Sequence, residues 1–138
     1  MSAGAAWSDI RLQLLAPSRV PQGETVPFTL RIVNAGRRPA TLYVQGRPPA
    51  FDLMVHDASG RLVWRRLAGA SVAMVLGVRQ LAPGDVVDLE DVWRQTDAAG
   101  NPVPPGRYLL TGVVPGEPDR DLRSRPAELD ILAPGGAA

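Results

Sequence analysis

The chain has 138 residues, no cysteine and a formal net charge of +1. That length suits one domain whose core is large enough to fold without staples. The missing thiols exclude disulfides, thiolate nucleophiles and Cys-ligated metal centres, and a balanced charge gives no field to gather nucleic acid or anionic lipid.

All 15 basic residues are arginine, and 14 glycines and 14 prolines are dispersed between short apolar runs. Such punctuation belongs to many strands joined by tight turns. The first residues lack the basic and apolar regions of a signal peptide, and no stretch approaches the roughly 20 apolar residues that cross a bilayer. A cytoplasmic location without membrane insertion is the expectation, and a cysteine-free chain suits a reducing compartment.

In chain order, Ile10, Leu12 and Leu14 alternate with Arg11 and Gln13, the period of a strand with one buried face. Pro17 and the turn Pro21-Gln22-Gly23-Glu24 end it. Phe28, Leu30 and Ile32 mark a second strand that stops at Asn34-Ala35-Gly36, and Leu42 and Val44 mark a third that breaks at Gly46-Arg47-Pro48-Pro49. Phe51, Leu53 and Val55 form a fourth. Asp57-Ala58-Ser59-Gly60 then reads as a hairpin turn returning into residues 62–67, which carry Trp64.

The apolar run 72–78 fits a buried strand better than a helical turn, because Val is frequent and Ala82-Pro83-Gly84 follows closely. After the turn 81–85, Val87, Leu89 and Trp93 share one phase. Asp91 falls in the same phase, which predicts a bulge or a sheet edge there. Residues 97–105 are a loop, Tyr108, Leu110 and Val114 form another strand, residues 115–126 are a polar connection, and Leu129 and Ile131 end the ordered part.

Eight or nine strands emerge, with turn signals about every ten residues and no convincing helix. Half-apolar strands of this kind hide their apolar faces only when two sheets stack. The expectation is an all-β, immunoglobulin-like antiparallel β-sandwich, one domain over residues 1–133 with a flexible tail at 134–138.

The order Phe51-Asp52, Gly60-Arg-Leu-Val-Trp64, Leu81-Ala-Pro-Gly-Asp85, Trp93 and Val103-Pro-Pro-Gly-Arg-Tyr108 resembles the bacterial intracellular proteinase inhibitor family of BsuPI type, over a core of residues 26–115. The resemblance implies an immunoglobulin-like sandwich that inhibits intracellular serine proteases. Its matched residues, Asp52, Gly60, Trp64, Pro83, Gly84, Trp93, Gly106 and Tyr108, read as structural. Trp64 and Trp93 would fill the core. Tyr108, just after Pro105-Gly106, has the position of a tyrosine corner, and the glycines would supply turns that a Cβ obstructs. Residues 65–72 carry no aromatic side chain, where the family would place one.

Catalytic chemistry is poorly supplied. His56 is the single histidine and sits in the outward phase of its strand. No Gly-x-Ser-x-Gly elbow is present, a phosphate loop would need lysine, and Asp88, Glu90, Asp91, Asp119 and Asp121 lack calcium-loop spacing. No enzyme activity, metal or cofactor is expected.

The partner is therefore another protein, with a serine protease as the leading reading. The binding candidates are residues 115–126, where Arg120, Arg123 or Arg125 could enter an acidic specificity pocket, and residues 45–50, where Pro48 and Pro49 stiffen the chain beside Arg47. The alternative is a non-inhibitory adhesion or accessory module that docks through a sheet edge.

Overall fold

Alternation of apolar and polar side chains becomes strand in the longer elements of the described residues. The computed structural model describes residues 10–44, 51–66, 77–115 and 121–134. Eleven strands are present: β1 Ile10–Leu15, β2 Arg19–Pro21, β3 Val26–Asn34, β4 Ala40–Val44, β5 Asp52–Asp57, β6 Leu62–Arg65, β7 Gly77–Leu81, β8 Val86–Trp93, β9 Gly106–Pro115, β10 Asp121–Arg123 and β11 Ala127–Leu132. No helix occurs among the described residues.

One sheet has the order β1-β3-β8 and a larger one the order β2-β11-β9-β5-β6, with β10 also on β9. β4 and β7 form a separate antiparallel pair. β3 is the clearest case of the period-two rule. Val26, Phe28, Leu30, Ile32 and Asn34 are buried, and the residues between them are not.

The two larger sheets face each other in an immunoglobulin-like sandwich, and the core lies between them. Phe28 of β3 meets the Phe51 ring edge-on at 6.2 Å. Trp93, fully buried at the end of β8, lies 6.2 Å from Trp64 of β6 and 5.8 Å from Tyr108 of β9. Gly112 of β9 sits so close to β3 that a Cβ there would come within 2.5 Å of a Leu30 methyl group. The sheets approach closely where that glycine stands.

Several details differ from what the pattern predicts. β2 and β10 are three-residue strands inside segments with no alternation to read. β2 pairs with β11 in parallel, so the sandwich is not wholly antiparallel. Leu81 closes β7 rather than opening a turn and is completely buried. The rest of the apolar run, up to residue 76, lies outside the described residues. Trp64 is half-buried against the core, whereas Trp93 is inside it. Asp91 marks a sheet edge and no bulge, since β8 pairs with β3 in unbroken register.

The turn glycines act through their dihedral angles. Gly60, Gly84 and Gly106 have φ of 90°, 83° and 146°, which side-chain-bearing residues rarely adopt, yet nothing lies within 4 Å of the Cβ each lacks. No obstruction is involved. The Tyr108 hydroxyl donates to the Pro104 carbonyl at 2.6 Å, and burial, followed by the charge of Asp57, raises its pKa. Asp57 accepts from the Ser59 hydroxyl and from the backbone N–H of Arg61 and Ser59, which keeps its own pKa low.

Two buried amides hold the connections. Asn34 donates to the carbonyls of Arg38 and Leu81 and accepts from the Gly36 N–H. Gln95, at φ 58°, donates to the carbonyls of Pro21 and Glu24 and accepts from the Gly23 N–H. Across the sandwich, Arg66 lies over the Phe51 ring at 3.9 Å, donates to the Phe51 carbonyl and pairs with Asp91 at 2.8 Å.

Replacing Trp93 by alanine is expected to cost about 3–5 kcal/mol in chemical denaturation. Trp64→Ala should cost less, because its ring is already partly in water. Desolvation alone would raise the pKa of Asp91. The hydrogen bonds from Arg66 and from the Val92 N–H, with the charges of Arg66 and Arg94, outweigh it and lower the value. A carboxylate lowered on folding stabilises above its unfolded pKa, and that contribution fades as pH falls through the folded value. The stability difference between wild type and Asp91→Asn should therefore be present at neutral pH and shrink on acidification below about pH 4.

Candidate functional site

The side of β9 away from β5 is covered by two strands in succession, β10 and then β11. β10 pairs Arg123 with Val113, and β11 begins by pairing Ala127 with Leu110. Between those pairs the β10–β11 side holds one more residue than β9 does, so the chain arches out at residues 124–126 as a bulge. β10 has β9 on one side and no described strand on the other. It is an open edge.

Ser124 builds the arch. Its side chain is buried, its N–H donates to the Gly112 carbonyl at 2.8 Å, and its Oγ accepts from the Gly112 N–H at 2.9 Å. The same hydroxyl donates to the Arg125 carbonyl at 3.1 Å. A side-chain oxygen thus replaces the backbone carbonyl that an unbroken ladder would offer Gly112. The serine carries no periodicity and its partner is twelve residues away, so the sequence gives no sign of this role. Only its neighbours Arg123 and Arg125 stood out.

Arg123 is exposed on β10, with Nη1 3.9 Å from the Met54 Sδ. Arg125 and Pro126 are exposed on the arch, and the Arg125 guanidinium has no polar partner among the described residues. Arg120 lies outside the described residues, as do Arg47, Pro48 and Pro49. The structure therefore brings together two of the six candidate binding residues.

The signature residues lie on other strands and turns. Asp52, almost wholly buried, accepts two hydrogen bonds from Arg65 at 2.8 and 2.6 Å. Gly60 ends the β5–β6 turn, Pro83 and Gly84 form the β7–β8 turn, and Gly106 opens β9 ahead of Tyr108. The β5–β6 turn and the loop through Pro104 and Tyr108 enclose an open groove of about 330 Å³. Ser59 points its hydroxyl at Asp57, and His56 is half-buried beside a register shift in β5. No group of three or more potential metal ligands occurs among the described residues, and no described helix is long and apolar enough to cross a membrane.

Comparison with known proteins places the chain. A family model described as BsuPI, intracellular proteinase inhibitor, matches residues 15–118. No curated protein matches. Among solved structures, the alkylpurine DNA glycosylase AlkC of Pseudomonas fluorescens aligns at 16% identity and a TM-score of 0.55, over 91% of this chain and 31% of that one. The β-glucosidase EmGH1 of Erythrobacter marinus aligns at 12% identity and a TM-score of 0.52, over 89% of this chain and 15% of that one. This chain thus corresponds to less than a third of either enzyme, and the likeness is one of fold.

Replacing Ser124 by alanine leaves the buried Gly112 N–H without its acceptor. The expected loss is about 1–3 kcal/mol of stability, read by denaturation, with faster hydrogen exchange at the Gly112 amide.

Proposed function

The chain belongs to the BsuPI family of intracellular proteinase inhibitors, and from that premise we propose that it binds and inhibits a serine protease through the surface formed by β10 and the arch that follows it. The observation that supports this surface is Arg125, exposed and without a polar partner among the described residues, beside Arg123 on a strand with no described neighbour on its outer side. Its backbone is already held by Ser124, so little conformational entropy remains to be lost on binding.

In this reading residues 1–133 act as one domain in the cytoplasm, in keeping with the family's description. The chain performs no catalysis of its own. A protease cleft would receive the exposed edge as an added strand, with main-chain hydrogen bonds giving affinity and the arginines giving selectivity.

A second reading, a non-inhibitory adhesion or accessory module, draws on a different feature. Leu15, Val86 and Val92 are all exposed and share the outward face of the β1-β3-β8 sheet. Affinity capture from the native cell separates the two: a recovered protease supports inhibition, and a membrane or secretion complex supports the accessory role.

The direct test is titration of the full chain against a trypsin-like and a subtilisin-like protease. Dose-dependent loss of peptidase activity is expected against at least one. No loss against either at micromolar inhibitor would overturn the inhibitory reading.

A further inference from the structure

The arch at residues 124–126 differs from the segments whose arginines sit in ion pairs. Arg31, Arg61, Arg65, Arg66 and Arg107 all sit in ion pairs with carboxylates. Arg123 lies against Met54 in a paired strand. Arg125 is exposed and has no polar partner among the described residues, and it is set between a buried anchor and a proline. On its N-terminal side Ser124 is tied to β9 by its N–H and its hydroxyl, and the same hydroxyl holds the Arg125 carbonyl. On its C-terminal side Pro126 fixes its own φ near −65°, and pairing with β9 resumes at Ala127.

Two chemical consequences follow for a protease that takes hold of this arch. A guanidinium that gives up no ion pair on binding can enter a pocket ending in a carboxylate and form a bidentate pair there. The peptide bond after Arg125 is a tertiary amide, whose ring crowds the leaving-group side and has no N–H. A protease that prefers arginine would therefore hold residue 125 without readily hydrolysing the bond that follows.

We infer that Arg125 is the specificity residue of the inhibitor, filling the acidic specificity pocket of a trypsin-like protease, and that Pro126 keeps the chain an inhibitor rather than a substrate. This rests on the inhibitory reading above and narrows it to one residue and one class of protease.

The test uses the full chain and three exposed-site variants, each checked for an unchanged thermal transition, against trypsin as the acidic-pocket protease and subtilisin as the apolar-pocket one. Arg125→Ala should weaken trypsin inhibition by about thirtyfold or more, the loss typical of a central anchor. Arg125→Lys should retain inhibition, since an ammonium also pairs with a carboxylate, and Arg11→Ala, exposed on the outer face of the other sheet, should leave it nearly unchanged. A fourth variant, Pro126→Ala, should be cut by trypsin after Arg125, giving a new N-terminus at position 126 in mass spectrometry. Wild-type inhibition of trypsin that survives Arg125→Ala overturns the assignment while leaving the inhibitory function standing. Inhibition of subtilisin alone does the same. Failure to inhibit either enzyme overturns both.

Discussion

Trp93 is the point where the two sheets become one structure. It ends β8 in the smaller sheet, yet its ring is wholly buried against Trp64 and Tyr108, which belong to the larger one. Its indole N–H donates to the Thr96 carbonyl, so the polar edge of the ring is satisfied as the apolar body is hidden. Three aromatic rings from three strands thus fix how far apart the layers sit and how they are rotated at this end. Phe28 against Phe51 adds a second fixed contact between the layers.

Fixing two layers leaves the connections to be held, and here the molecule relies on buried amides. A connection that passes near the core carries backbone N–H and C=O groups away from water, and each must find a partner. Asn34 meets that demand where β3, β7 and the turn at Pro83-Gly84 converge, with its own backbone bonded to Asp85 and Gly84. Gln95 does so for the turn at residues 21–24, and Gln22 in turn donates to the Val103 carbonyl. Ser124 performs the same service at the arch with a hydroxyl. No buried side-chain polar atom among the described residues is left unpartnered.

What could be read in advance follows from the range of the interactions involved. The long strands are legible because side-chain burial has the period of the backbone itself: Phe28, Leu30 and Ile32 declare β3 without reference to any other segment. The Asp57–Gly60 turn is equally local, since its hydrogen bonds close within five residues. β2 and β10 are short, and each owes its conformation to pairing with another strand, β11 at the far end of the chain and β9 just before it, rather than to its own composition. The candidate site shows the same division. Its arginines stand out as residue types, but Arg125 is set apart by Ser124 and Gly112, a pairing that exists only after β9 and β10 have come together. Asp91 is instructive for the opposite reason. An acid in an inward phase contradicts the pattern locally, and its resolution lies in Arg66, which reaches it from the facing sheet.

The result is a separation of tasks by position. Apolar rings between the layers supply cohesion that does not depend on any exposed arginine, and the ion pairs of Arg31, Arg61 and Arg107 lie where solvent screens them. Arg125 lies outside both systems. Because neither the core nor an ion pair uses it, its side chain can change without cost to the fold, and binding it to a partner breaks no contact already made. A rigid backbone beneath a side chain with no internal commitments is the economical way to build a recognition residue. In this chain Ser124 provides that rigidity from within the larger sheet.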